Sequence, residues 1–307
     1  MRVQQTAKVS LTRFAWLSVA AAIATIALKT SAYFLTGSVG ILSDALESLV
    51  NLAGAVIALV MLSIAAKPPD EDHEFGHGKA EYFASGAEGA MIIFAAGSIA
   101  VAAVNRLLNP QPLEQVGLGL AVTLAATLIN LLVAIVIRRA GKEYHSVTLD
   151  ANARHLMTDV WTSAGVIAAV GIVALSKLQF LDPVIALVVA ANIIREGIHI
   201  VRSSVLGLMD TAIPAEEHAR IVSVLQSYEE DEVTYHALRT RQAGRRRFVS
   251  VHILVPGDWT VHQGHEMLEQ IENKLIQAVP NITVLTHLES LEDPASWKDI
   301  GLDRAPE

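Results

Sequence analysis

The sequence predicts an α-helical membrane protein, in which six transmembrane helices precede a small cytoplasmic α+β domain. Its 307 residues are 52% hydrophobic and only 18% charged, whereas soluble domains carry about 25% charged residues. The long apolar runs also lie almost entirely before about residue 206, and the remainder has the pattern of a soluble domain. Composition and its segregation therefore indicate one unit in the bilayer and one in water.

Six apolar segments are long enough to cross a bilayer, which takes about 20 residues in a helix. The first is too long for the apolar core of a signal peptide, so we interpret it as a retained helix. We place the spans at about 11–35, 38–66, 83–107, 116–138, 148–176 and 182–205. Because the number of spans is even, both termini lie on the same side of the membrane.

The distribution of lysine and arginine indicates which side this is. The loops on the side of the termini carry eight of these residues, and the opposite loops carry two, Arg106 and Lys177. Cytoplasmic loops are enriched in Lys and Arg. We therefore expect a multi-pass protein of the cell inner (plasma) membrane with both termini in the cytoplasm.

The polar part of the chain has the element pattern of a small α+β domain. Helical periodicity predicts helices at about 214–228 and 261–278, and alternation predicts strands at 232–241, 247–255 and 281–289. The order is therefore αββαβ. This order places the helices on one face of the sheet.

These patterns divide the chain into four parts. Residues 1–10 form a cytoplasmic N-terminus, 11–207 the six-helix transmembrane domain, 208–293 the cytoplasmic domain and 294–307 a tail. The tail is polar and has no periodicity, so we expect it to be disordered.

Charge and cysteine content exclude two kinds of function. The net charge is −8, whereas a nucleic-acid binder needs a basic face to replace counterions, so we expect no nucleic-acid partner. The chain has no cysteine, which excludes thiolate ligands and disulfides. A bound metal must then be held by imidazole, carboxylate, amide or water.

Polar residues inside the predicted spans indicate a metal site. Asp44, Glu47 and Asn51 recur at i, i+3 and i+7 on one stripe of the second span, and His155 and Asp159 lie one turn apart on the fifth. Ionisable groups at membrane depth are costly and therefore mark functional sites. One such pair is explained equally well by an interhelical hydrogen bond. Two pairs in one unit favour a metal ion enclosed between the helices.

Two further groups have ligand chemistry. In the loop after the second span, Asp70, His73 and His77 have chelating spacing, although spacing alone favours a solvated charge run. The soluble domain has histidines near the ends of its elements, and each alone is most simply a surface residue. These are His236, His252, His262, His265 and His287. Together with Glu289, they predict a binuclear metal site that the carboxylate bridges.

Three stretches resemble the cation diffusion facilitator family, and most closely its bacterial YiiP/FieF-like branch. Residues 75–81 (FGHGKAE) resemble the signature loop of the family. Residues 236–244 (HALRTRQAG) resemble the first strand of the cytoplasmic domain in that branch, and 208–210 (LMD) resemble its linker. The resemblance covers about residues 10 to 290.

The resemblance implies a homodimer in the lipid bilayer that exports Zn²⁺ or a similar divalent ion in exchange for protons. It also implies a ferredoxin-like cytoplasmic domain that regulates transport by binding metal. Carried over by position, the transport site comprises Glu47, Asn51, His155 and Asp159. The loop site comprises Asp70, His73 and His77. The cytoplasmic site comprises His236, His252, His265, His287 and Glu289, with His262 outside the pattern. Lys79 and Asp210 match a charge pair that ties the linker to the membrane unit near the dimer contact.

One position departs from the family pattern. Zinc-transporting relatives usually have Asp-Asp or His-Asp in the second span, whereas this chain has Glu47 and Asn51. An amide is a neutral oxygen donor, so the site loses one formal charge and becomes harder. Three consequences remain open: a preference for Fe²⁺, Mn²⁺ or Co²⁺ over Zn²⁺, a substitute ligand in Asp44, or a weak or regulatory transporter. We favour altered selectivity.

Two other function classes compete with an exporter. A membrane-embedded metalloenzyme would need a nucleophile or general base near the metal, and the sequence has neither HExxH nor a nucleophile elbow, so we expect no enzyme. A non-transporting partner or scaffold that keeps the fold is the alternative that Asn51 leaves open. Metal uptake into proteoliposomes under a pH gradient separates both classes from an exporter, and flux measured across Zn²⁺, Fe²⁺, Mn²⁺, Co²⁺ and Cd²⁺ identifies the ion.

Overall fold

A computed structural model describes residues 11–36, 39–109, 116–176, 180–229, 232–298 and 300–301. Within these ranges the side chains of 35–36, 39–47, 50, 106, 116, 118–120, 166–176 and 181–182 lie outside the description. The chain divides into two compact units, Met1–Val205 and Leu206–Glu307.

The membrane unit is helical throughout its described elements. Within the described ranges it has six helices of 25 to 30 residues. They are α1 (Thr12–Thr36), α2 (Val39–Ala65), α3 (Ala80–Leu108), α4 (Val116–Glu143), α5 (Val147–Ser176) and α6 (Leu181–Leu208). The six helical segments predicted from hydropathy are therefore confirmed, with ends that differ by a few residues.

Four of these helices, α1, α3, α4 and α6, are long and apolar enough over their described residues to cross a membrane. The helix α2 contributes a shorter apolar stretch, Asn51–Ala65. Both α2 and α5 carry the polar residues that were predicted to bind metal, and part of each has undescribed side chains.

Helices α3 and α6 approach closely where each has a glycine. A Cβ atom at Gly197 would lie 2.6 Å from Ile93 Cγ1 and 3.1 Å from the Gly89 carbonyl oxygen. Both distances are far below ordinary contact. The two backbones can therefore pack at this separation only because no side chain stands between them.

We predict that Gly197→Ala destabilises the membrane unit by about 1–3 kcal/mol, because overpacking forces the helices apart. The measurement is the thermal midpoint of unfolding of detergent-solubilised protein. Gly97→Ala is the matched control, since a Cβ atom there meets nothing within 4 Å. Equal midpoints for the two variants would contradict the packing argument.

The second unit is the predicted α+β domain. Its elements are α7 (Ala215–Gln226), β1 (Thr234–Ala243), β2 (Arg246–Val255), α8 (Val261–Ala278) and β3 (Ile282–Ser290). The described sheet has the order β1-β2-β3, with β1 antiparallel and β3 parallel to β2. Apolar residues of both helices and of the inner sheet face form one core, which includes Ile221, Val251, Ile253, Ile271 and Leu275. The αββαβ order is thereby confirmed.

Local signals explain how α8 begins and how it packs. Thr260 caps the helix by accepting a hydrogen bond from the Gln263 backbone, and the Gln263 side chain accepts in return from Thr260 N. This reciprocal capping box fixes the helix start. One turn on, a Cβ atom at Gly264 would lie 2.3 Å from Leu288 Cδ2. A larger residue at this position would therefore have to displace the Leu288 side chain.

A buried ion pair joins α7 to β2. Arg247 Nε lies 2.7 Å from Glu217 Oε2, and Arg247 Nη2 lies 3.3 Å from Glu217 Oε1. Both side chains are almost completely buried. Because the fork of the guanidinium matches the carboxylate, each buried charge is compensated by the other.

The described part of the tail differs from the predicted disorder. Pro294–Trp297 form a short 3-10 helix, which Asp293 caps by accepting from Ala295 N at 2.8 Å. Trp297 Nε1 donates to the Leu291 carbonyl at 3.1 Å, and Arg239 donates to the Ile300 carbonyl at 3.0 Å. These contacts are aperiodic, so hydrophobic periodicity does not reveal them. Residues 302–307 lie outside the described residues.

Candidate metal sites

Three of the predicted transport-site residues converge between α2 and α5. Asn51 Nδ2 donates to Asp159 Oδ2 at 2.5 Å, and Asn51 Oδ1 lies 2.9 Å from His155 Nε2. His155 is only 7% exposed. One amide thus bridges the imidazole and the carboxylate that stand one turn apart on α5.

The approach of α2 to α5 is set by a glycine. Gly54 lies three residues after Asn51, and a Cβ atom there would be 4.0 Å from His155 Cε1 and 3.0 Å from Met91 Cε. A larger side chain at Gly54 would therefore press on α3 and on the imidazole. Small residues at such positions allow membrane helices to come close.

The directions of these hydrogen bonds show which atoms of Asn51, His155 and Asp159 donate and which accept. Asn51 uses its NH₂ on the Asp159 carboxylate, so its oxygen faces His155 Nε2 and accepts from it. A metal ligand must instead offer a deprotonated nitrogen. Metal binding by His155 Nε2 would therefore require this amide bridge to rearrange. The side chains of Glu47 and Asp44 lie outside the described residues.

The loop between α2 and α3 brings its three predicted ligands together. Asp70 Oδ1 accepts from His73 N at 2.8 Å, and Asp70 Oδ2 lies 3.2 Å from His77 Nε2. The rings of His73 and His77 are 4.4 Å apart. Gly76 has a φ of 81°, which lets the chain reverse between the two histidines. One ligand atom from each residue falls within 4.8 Å of the others.

The electrostatics of this loop favour an ionised Asp70. Desolvation acts to raise the pKa of Asp70. Hydrogen bonds from the backbone and ring of His73, together with the charges of His77 and His73, act in the opposite direction. Their combined effect is larger, so the pKa of Asp70 is lowered. A carboxylate with a lowered pKa stays charged at lower pH than a free aspartate.

The cytoplasmic cluster follows from the register of the sheet. His236 on β1 pairs with His252 on β2, which pairs with His287 on β3. The three imidazoles thus form one row across the strands. Glu289 lies two residues further along β3, on the same face. Its carboxylate oxygens are 2.7 Å from His236 Nε2, 3.2 Å from His252 Nδ1 and 3.4 Å from His287 Nε2.

A β-bulge directly follows His236. The register shifts between His236 and Arg239, and Ala237 has a φ of 48°. Bulges bend a strand and re-aim its side chains, and they are frequent beside functional sites. His236 and Glu289 are nearly buried there, with side chains 8% and 7% exposed. The ligand atoms of His236, His252 and Glu289 lie within 4.8 Å of one another.

Two soluble-domain histidines stand apart from this cluster. His265 is exposed on α8, and within the described residues no contact joins it to the cluster. His262 is also exposed and lies 3.6 Å from Glu266 on the same helix. The inclusion of His265 in the cytoplasmic site therefore remains a prediction from the resemblance.

The charge pair of Lys79 and Asp210 stays a prediction from the resemblance. Within the second unit, Asp210 Oδ1 lies 3.2 Å from Arg241 Nη1. Asp210 has a φ of 57°, which is uncommon outside glycine and marks a tight turn after α6.

Sequence reasoning assigned no role to three further residues, which are Glu81, Glu88 and Trp297. Glu81 is buried and accepts hydrogen bonds from Ser146 and from Thr148 N, which ties α3 to the start of α5. Glu88 is a buried acid in α3. Trp297 places its ring 5.7 Å from that of His236. Glu88 had a signal, since it is ionisable within the predicted span 83–107, whereas Glu81 lies before that span and Trp297 has no pattern.

Comparison with known proteins covers both units. Residues 15–209 match the family model of the cation efflux transmembrane domain, and residues 213–291 match that of the cation efflux protein cytoplasmic domain. An uncharacterized transporter of Synechocystis sp. is 50% identical over 93% of this chain and 92% of its own length. The cation-efflux pump FieF of Yersinia pestis is 30% identical over 92% and 94%.

A solved structure of a cytoplasmic domain is also similar to part of this chain. The metal-bound C-terminal domain of the CzcD transporter from Thermotoga maritima is 26% identical, with a TM-score of 0.24, over 26% of this chain and 92% of that one. Since both family models match in order along the chain, this protein belongs to the cation diffusion facilitator family of cation-efflux transporters, as a YiiP/FieF-like member.

Proposed function

We propose that the protein exports a divalent transition-metal ion in exchange for protons, with the ion bound between α2 and α5. The observation that supports this most is the convergence of Asn51, His155 and Asp159 at membrane depth. Amide, imidazole and carboxylate are suitable donors for Mn²⁺, Fe²⁺, Co²⁺ or Zn²⁺. Glu47, one turn before Asn51 on α2, is proposed as the fourth ligand.

Proton exchange follows from the same groups. Metal binding from the cytosol requires a neutral His155 and an ionised Asp159. Rocking of the helices then opens the site to the other side, where protons take the place of the ion. An unperturbed imidazole titrates near pH ~6.5, so such an exchange lies within the physiological range. The ligands are thereby also the proton carriers.

The cytoplasmic cluster is proposed to regulate transport within a homodimer. Cytosolic metal at His236, His252, His287 and Glu289 would replace the hydrogen bonds that now link these side chains. A family domain that matches residues 213–291 is named for dimerisation, which supports a role in subunit contact. With both termini on the cytoplasmic side of the inner membrane, this cluster would bind metal ions from the cytosol. These are the same ions that the membrane site exports.

Vesicle transport tests the function. Purified protein in sealed liposomes should accumulate at least one of Zn²⁺, Fe²⁺, Mn²⁺, Co²⁺ and Cd²⁺ when a pH gradient is imposed, and should release protons in the opposite direction. A non-transporting partner or scaffold would bind metal without gradient-dependent accumulation. That outcome, for all five ions, would overturn the proposal.

Selectivity is proposed to depend on Asn51. We predict that Asn51→Asp shifts the preference towards Zn²⁺ by about tenfold or more relative to Mn²⁺, because it adds a charge beside an imidazole. Competition between the two ions in the vesicle assay measures this ratio. Asn130→Asp is the control, since Asn130 is a buried amide on α4 outside the site. An unchanged ratio in Asn51→Asp would show that this position does not set selectivity.

A further inference from the structure

Glu88 is a buried acid that the exchange described above does not use. It lies on α3 with 0% of its surface exposed. Its Oε1 accepts a hydrogen bond from Asn152 Nδ2 on α5 at 2.8 Å. Its Oε2 is buried and has no hydrogen-bond partner among the described residues. Asn152 Oδ1 in turn accepts from the Ser18 hydroxyl on α1, so one polar chain joins three helices.

The hydrogen bonds indicate which form of the acid is present. An ionised carboxylate at this depth would have a single neutral donor to offset its charge, and such burial is strongly unfavourable. The Asn152 amide oxygen is already engaged by Ser18, so the amide presents only its NH₂ to Glu88. A neutral Glu88 would accept this hydrogen bond through Oε1 and carry its proton on Oε2.

No charged side chain on the neighbouring helices compensates Glu88 within the described residues. On α5, Arg154 is paired with Asp150 and Glu196, and His155 faces Asn51. On α6, the titratable residues near the close contact with α3 are Arg195, His199 and Arg202, which are exposed, and Glu196, which pairs with Arg154. On α1, Ser18 is neutral. The acidic residues of α2, Asp44 and Glu47, have undescribed side chains.

The position of Asn152 links this acid to the metal site. Asn152, His155 and Asp159 recur at i, i+3 and i+7 and so follow one stripe of α5. Any rotation or tilt of α5 that opens the metal site therefore also moves the only described donor to Glu88. Without that donor, and with water admitted, the acid is free to ionise.

We propose that Glu88 is a second proton-binding carboxyl of the transport cycle, separate from the metal ligands. It is protonated in the conformation described here and deprotonated in the alternate one. In each cycle it takes one proton from the side of higher proton concentration and releases it to the other side. This proton adds to those that His155 and Asp159 exchange, and the proposal rests on the proposed antiport.

The decisive variant is Glu88→Gln, which keeps the shape and the Asn152 contact but cannot ionise. In liposomes that report metal and proton flux together, we expect the proton-to-metal ratio to fall by about one, with metal affinity unchanged. Glu88→Asp keeps a titratable carboxyl and should restore the wild-type ratio. A wild-type ratio in Glu88→Gln would overturn the proposal.

A second measurement does not depend on transport. Infrared spectra of the full-length protein at neutral pH should contain a protonated-carboxyl band that Glu88→Gln removes. If the wild-type protein shows this band but moves no protons with metal, the antiport proposal fails while the protonation of Glu88 stands. Spectra identical in wild type and variant would overturn the assignment of Glu88 itself.

Discussion

Asp159→Ala should abolish pH-gradient-driven metal uptake, with flux reduced at least about 100-fold. Loss of an outer-shell partner of a metal site already costs about 10–100-fold in affinity or activity. Asp159 supplies the only carboxylate described at this site, and its Oδ2 stands 2.5 Å from Asn51 Nδ2. Its removal leaves an imidazole and an amide, which bind a divalent ion weakly. The measurement is initial uptake in liposomes at several metal concentrations.

The control for this variant is Asp150→Ala. Asp150 lies on the same helix and forms an ion pair with Arg154 at 2.8 Å, away from Asn51. It should keep most of the uptake. Asp159→Asn adds a second comparison, because it retains the volume and removes the charge. Undiminished flux in both Asp159 variants would exclude this site from transport.

Glu289→Ala should eliminate high-affinity metal binding at the cytoplasmic cluster, an effect also of at least about 100-fold. The carboxylate reaches His236, His252 and His287 within 3.4 Å, so it is the shared member of the cluster. Titration calorimetry of the full-length protein should then lose one class of sites. Transport at saturating metal should persist, because the membrane site is untouched.

Glu266→Ala is the control for this second prediction. Glu266 is exposed on α8 and lies 3.6 Å from His262, which is not part of the cluster. Trp297 offers an independent readout. Its ring lies 5.7 Å from His236, so metal binding should change its fluorescence, and Trp297→Phe isolates that signal from the other tryptophans. A fluorescence response that survives Glu289→Ala would place the metal elsewhere.

Much of the architecture could be predicted because its signals are local. Segregated apolar runs located the six helices to within a few residues, and alternation located β1, β2 and β3. The spacing of His155 and Asp159 placed both on one face of α5, since helical geometry alone determines this. Asp70, His73 and His77 could be grouped in the same way, because they lie within eight residues of one another in the sequence.

The remaining features depend on contacts between distant segments. No spacing rule predicts that the Asn51 amide bridges two side chains of α5, or that His236, His252 and His287 align across three strands. Both arise from tertiary register. The packing of Trp297 against the cluster is aperiodic, so it left no pattern in the sequence.

The most direct test is anomalous scattering from crystals of the full-length protein grown with Mn²⁺ or Zn²⁺. We predict a peak between α2 and α5, about 2.0–2.2 Å from His155 Nε2 and an Asp159 oxygen. Asn51 should then have turned its oxygen towards the ion and released Asp159. Metal peaks at the loop and in the cytoplasmic domain alone, with the Asn51 bridge intact at saturating metal, would contradict a transport site at this position.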